Sequence, residues 1–248
     1  MLSEDEIQAN LRESDSEGDF RFQARHRGVE RLQEFVARAD FEKVKSLRFI
    51  EMPQSDLSWI RDCSNVTSIS INSNSSQPID VSKLHNLIHL GAQGSVMKRI
   101  FGLENLKPLK SLSFSSPTEY ELARLGGNAK LLFVGGAPKA WPKLATPDVI
   151  TNLKIVRAKS EPLDVGQMKH LSNLEFLSLN SIYSGLCNAN ELENLSNLEQ
   201  LFLWKVYTID SKDWILKLPK LRSFTIWDKH AFDEAELDRL RAKGLYKF

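Results

Sequence analysis

"LEQLFLWKV", residues 198–206, alternates along its length. In an extended strand successive side chains point to opposite faces. If Leu201 and Leu203 turn into a core, Phe202 and Trp204 go to the other face. Two large aromatics on a solvent-facing surface need a reason. Burying one removes about 150–250 Å² from water, at about 25 cal/mol per Å², and is worth several kcal/mol.

The segment is one of a series. Aligned on "LSNLEFLSLN" at 171–180, it is matched by "LSNLEQLFLW" at 195–204, "LPKLRSFTIW" at 218–227, "LHNLIHLGAQ" at 84–93 and "LKPLKSLSFS" at 106–115. More degenerate copies end at Ile50 or span 63–72, 127–136 and 149–158. The first apolar residues are Val44, Val66, Leu87, Leu109, Leu131, Leu153, Leu174, Leu198 and Leu221, at successive gaps of 22, 21, 22, 22, 22, 21, 24 and 23 residues. Each unit has the form L-x-x-L-x-L, a variable linker, then L-x-x-L. A unit of this length cannot bury its apolar face alone, whereas stacked copies share one core.

This pattern resembles the leucine-rich repeat in its short class of about 22 residues, as in internalin-type and phosphatase-regulator-type proteins. The resemblance covers 44 to about 228. It implies an α/β, right-handed solenoid with a parallel concave sheet of about nine strands and helical caps. The family asparagine, three residues after the last strand leucine, is matched only by Asn74; the other units carry Met52, Ser95, Pro117, Lys139, Glu161, Ile182, Val206 and Lys229. An irregular solenoid with fewer side-chain ladders follows.

Alternation assigns inward pairs from Leu47 and Phe49 through to Phe224 and Ile226. In the fifth and sixth units these are Val134 with Gly136 and Val156 with Ala158. The fifth unit, with Gly135, Gly136 and three prolines, reads as a bulge or bend rather than a domain break, because the phase carries through. The organisation expected is a helical cap over 1–43, repeats over 44–228 and a helical cap over 229–248, forming one domain. Ser3–Glu6 has capping-box spacing, a helix over about 28–40 carries Val29, Leu32, Phe35 and Val36, and Asp233–Glu236 opens a last helix with Leu237 and Leu240 that ends near Gly244.

Composition excludes several functions. The 248 residues carry a net charge of +1 with no basic block, so a nucleic-acid partner is not expected. Hydrophobic and charged fractions of 42% and 26% are those of an ordinary globular protein. The acidic, polar start is unlike a signal peptide, and no apolar run approaches the ~20 residues of a membrane span. Cys63 and Cys187 match no metal or redox spacing and read as reduced, packed thiols. These features lead us to expect a cytoplasmic protein, monomeric when unbound and without cofactor or metal.

No phosphate-binding, metalloprotease or nucleophile-elbow motif occurs. "GAQGSVMK" at 91–98 reads as a turn, and the five histidines are scattered, with His89 outward and His85 and His170 on the outer side. An enzyme is not expected. The informative contrast lies on the concave face. Its N-terminal half presents short hydroxyl and amide side chains. Its C-terminal half presents Phe176, Phe202, Trp204 and Trp227 beside Asn180, Arg157, Lys159 and Lys205, whereas Trp59, Trp141 and Trp214 are expected to pack inside. Apolar patches ringed by polar groups mark contact sites. The reading is a non-enzymatic module that grips a protein partner through these residues, as an inhibitor, an adaptor or an immunity-type protein. A regulatory subunit docking on an enzyme such as a phosphatase is the alternative. A competing structural reading has the loop 181–194 or the C-terminal segment folded over the patch.

Overall fold

The computed structural model describes residues 18–23, 28–38, 40–51, 55–72, 77–107, 109–123, 128–157, 160–227 and 231–246. The Ser3–Glu6 capping box, Asn74 and Lys159 lie outside them. Among the described residues ten strands form one sheet, one more than the repeat count suggests, and the chain divides into two units, Met1–Ser113 and Phe114–Phe248.

The first unit contains β1 (Asp19–Gln23), β2 (Ser46–Ile50), β3 (Ser68–Asn72), β4 (Ile79–Asp80), β5 (His89–Gln93), β6 (Ile100–Phe101) and the start of β7 (Ser111–Ser115). The unforeseen strand is β1, which pairs in parallel with β2, Phe20 facing Leu47 and Phe22 facing Phe49. It lies 27 residues before β2 because a helix, Gly28–Arg38, fills the connection. Parallel neighbours require such a crossover. The N-terminal cover is thus a strand plus a helix. Phe35 on that helix is buried 4.7 Å from Phe20 and 5.5 Å from Trp59, whose ring stacks on Phe41 at 5.6 Å.

From β2 onward the unit follows the expected alternation: Leu47, Phe49, Ile69, Ile71, Leu90 and Ala92 are buried. The short strands β4 and β6 pair with each other on the linker side. The 91–98 segment turns one residue after β5 into a single helical turn, Gly94–Met97, instead of an open turn.

The second unit contains the end of β7, β8 (Leu131–Gly135), β9 (Asn152–Val156), β10 (Leu163–Asp164), β11 (Phe176–Asn180), β12 (Leu186–Cys187), β13 (Gln200–Trp204) and β14 (Ser223–Ile226). Strands β8, β9, β11, β13 and β14 pair in that order, all parallel. β10 and β12 pair separately in the linker layer.

The repeat phase slips here. Cross-strand register sets Leu132 and Val134 against Leu153 and Ile155, and these four are the buried residues of β8 and β9. The first inward positions are therefore Ala129 and Ile150, two residues earlier than Leu131 and three earlier than Leu153. A two-residue slip keeps the face; a three-residue slip reverses it. Val156 accordingly faces out, and Ile155, expected outward, is in the core.

A helix, Glu234–Ala242, covers the last repeat. Asp233 accepts from the Glu236 amide while the Glu236 carboxylate accepts from the Asp233 amide. Leu237 and Leu240 are buried, and Gly244 follows in the left-handed region with φ +71°. The Phe224 amide of β14 donates to the Leu245 carbonyl, so the returning chain satisfies part of the final strand's edge.

Candidate functional site: the aromatic face of the second unit

β11, β13 and β14 position the aromatic face. Leu201 and Leu203 are 1% exposed, so Phe202 and Trp204 are held on the opposite face, as the alternation requires. Pairing places Trp204 opposite Asn180 and Phe202 between Ser178 and Thr225. Trp227 follows β14 directly, and its amide donates to the Leu203 carbonyl at 3.1 Å. The indoles of Trp204 and Trp227 meet with centroids 6.2 Å apart at 57°. They remain 38% and 72% exposed, so no described segment folds over them. Phe176, in register with Gln200, and Phe202 are half-buried on the same face, and Trp59, Trp141 and Trp214 are inside.

Lys205 follows Trp204 in a left-handed backbone conformation, φ +54°. Glu51, Ser116, Gly136 and Ser181, each the first residue after its strand, share that region. The chain bends here, and the Lys205 Nζ lies 5.5 Å from the Trp204 ring centroid. The Asn180 Oδ1 accepts from the Ser181 hydroxyl at 2.7 Å.

Arg157 is not on this face. It is 1% exposed, and its Nε donates to the Ala137 and Pro138 carbonyls at 3.2 and 3.1 Å while a terminal nitrogen donates to the Glu161 carbonyl. Burial lowers its pKa, against the opposing pull of Glu161. The reason is the register slip: β9 ends at Val156, so Arg157 enters the turn and turns inward, where it pairs backbone carbonyls that the core would leave bare. Its guanidinium is not presented at the surface.

Lys154 takes the outward place instead, with its Nζ 5.6 Å from the Phe176 ring centroid. The signal was in "NLKIVR", where the polar residues Asn152 and Lys154 alternate with Leu153 and Ile155. A further aromatic pair, Tyr183 and Tyr207 at 5.4 Å, lies in the segments that follow β11 and β13.

In several repeats of both units an asparagine one position before the first inward residue bonds the preceding repeat. Asn65 and Asn86 donate to the Glu42 and Ser64 carbonyls at 2.8 and 3.2 Å in the first unit. Asn173 and Asn197 donate to the Asp148 and Ser172 carbonyls, both at 2.8 Å, in the second. The family's own asparagine position is apolar and buried at Ile182 and Val206.

Among the described residues no group of three His, Cys, Asp or Glu side chains could hold a metal ion, and no helix is long and apolar enough to cross a membrane. His89 is exposed and bonded to the Ser111 hydroxyl at 2.9 Å.

No protein-family model matches the sequence, and no curated protein does. The chain is similar to parts of several solved structures. The internalin InlF of Listeria monocytogenes is 18% identical over 82% of this chain and 60% of its own, with a TM-score of 0.45. Internalin C2 of the same species is 16% identical over 77% of this chain and 76% of its own, TM-score 0.39. A chain of the mouse RP105/MD-1 complex is 16% identical over 75% and 42%, TM-score 0.38. The chain thus spans less than two thirds of the InlF and mouse chains. The fold itself rests on the repeat, the parallel register and the inward leucines described above: it is that of a leucine-rich-repeat solenoid.

Proposed function

We propose that the chain is a non-enzymatic protein-binding module whose contact surface is the open face of the second unit. The observation that carries this reading is the Trp204–Trp227 pair, held ring against ring and still 38% and 72% exposed. Tryptophans pre-packed against each other lose little conformational freedom on binding and are frequent anchors of interfaces. Phe176 and Phe202 extend the patch, Lys205 and Asn180 edge it, and Lys159 is proposed as a further contact by its sequence position. A surface of this kind acts by occupying its partner, which suits an inhibitor, an adaptor or an immunity-type protein.

The test is affinity capture from the native cell with the wild type and a Trp204→Ala/Trp227→Ala variant. A partner retained by the wild type and lost by a variant of unchanged melting temperature supports the reading. Equal capture by both, or a variant that unfolds, contradicts it.

A further inference from the structure

The outward strand positions from β8 to β14 carry no carboxylate. The charge on this face is cationic: Lys154 at the middle of β9, and Lys205 at the turn after β13. Elsewhere in the unit Lys169, Lys212 and Lys217 are each paired with a glutamate, at 2.9, 2.6 and 2.6 Å. Lys154 and Lys205 have no carboxylate at such distances among the described residues, and each stands over an aromatic ring instead. A ring satisfies one side of an ammonium group and leaves further N–H donors pointing away.

We propose that this face receives an acidic polypeptide segment, which sets Asp or Glu carboxylates against Lys154 and Lys205 and an apolar side chain against Trp204 and Trp227. The inference rests on the reading of the patch as a protein-binding surface and adds the chemistry of its partner. Opposite charge steers association and selects among partners, while the indoles supply the apolar contact. A second copy docking through the same face would set one cationic surface against another, because a two-fold contact repeats the same patch on both sides. A nucleic acid fits less well. The indoles stand at 57° with centroids 6.2 Å apart and cannot sandwich a planar base between them, and two cations are few for a phosphate backbone.

The test is selection of a random dodecapeptide display library on the immobilised full chain, beside a Lys154→Glu/Lys205→Glu variant. The wild type is expected to enrich Asp and Glu several-fold over the library; the reversed variant is expected to enrich Lys and Arg. Lys154→Glu alone, at an exposed strand position, should show the same shift more weakly and covers the case in which the double variant fails to melt cooperatively. Peptides without acidic bias, or the same acidic peptides on the reversed variant, overturn the proposal. If unbiased peptides are nonetheless lost from the Trp204→Ala/Trp227→Ala variant, the patch reading stands and only the charge inference falls. If that variant keeps the peptide set, both fall. Tryptophan-dependent dimerisation in sedimentation, or quenching of tryptophan emission by a single-stranded oligothymidine, also overturns the proposal.

Discussion

The Asn197 side-chain amide donates to the carbonyl of Ser172, one repeat back, at 2.8 Å. Asn173 does the same to Asp148, so consecutive repeats are stitched through the residue just before the first inward leucine. Each bond satisfies a carbonyl that the turn leaves without a backbone donor. We expect Asn173→Ala and Asn197→Ala each to lower stability by about 1 kcal/mol. Urea melts of the two single variants check this, and unchanged midpoints would contradict it.

Arg157 has a larger role. Its guanidinium bonds the carbonyls of Ala137, Pro138 and Glu161 in a site closed to water. Arg157→Met keeps the volume and strands those acceptors, and is expected to cost about 3 kcal/mol. Arg157→Lys should recover only part, because an ammonium lacks the planar fork that reaches three carbonyls. Neither change should alter partner capture by protein that remains folded. Loss of capture at an unchanged melting temperature would put Arg157 back at the contact surface.

The slipped register of β9 makes a sharp prediction. Ile155 is fully buried, although the simple repeat count sets it outward, and Lys154 beside it is exposed. Lys154→Asp is expected to shift stability by no more than about 0.5 kcal/mol. Ile155→Asp is expected to cost about 4 kcal/mol or to prevent folding, since a carboxylate enters the core unpaired. Circular-dichroism melts of the two variants distinguish the registers.

These two positions show where the sequence was legible. In the units with leucine at every inward step, such as 171–180 and 195–204, the pattern predicts strand, register and facing correctly down to Phe202 and Trp204. In the fifth and sixth units Ala129 and Ile150 take the leading positions, and counting leucines alone misplaces both strands. Polarity does better there, because Asn152 and Lys154 mark the wet face. β1 was missed because its "DFRFQ" stands 27 residues from the next strand, outside the repeat period, with a helix between. The asparagine ladder was visible as the recurrent Asn65, Asn86, Asn173 and Asn197 before the first inward residue, but it does not sit where the family keeps its own. The charge of the open face followed the same pattern: Lys205 was legible from Trp204, whereas Lys154 was hidden by the slip.

Cys63 is buried, and burial, reinforced by Asp62, pushes its thiol up to about 12 from an ordinary 9.0. Between those values the unfolded chain has lost the proton and the folded chain retains it. The contribution is therefore full below pH 9 and falls as pH rises, by at most about 1.4 kcal/mol per pH unit. Urea melts at pH 8 and pH 10.5 should show this decline in the wild type and a shallower one in Cys63→Ala. Equal slopes in the two proteins would contradict it.

The central claim is that Trp204 and Trp227 stand on an open face while Trp59, Trp141 and Trp214 lie inside. Hydroxyl-radical footprinting of the native protein, read residue by residue by mass spectrometry, tests it most directly. The structure predicts fastest oxidation at Trp227, slower oxidation at Trp204, and protection of the other three until urea unfolds the chain. Protection of Trp204 and Trp227 equal to that of Trp141 and Trp214 would contradict it.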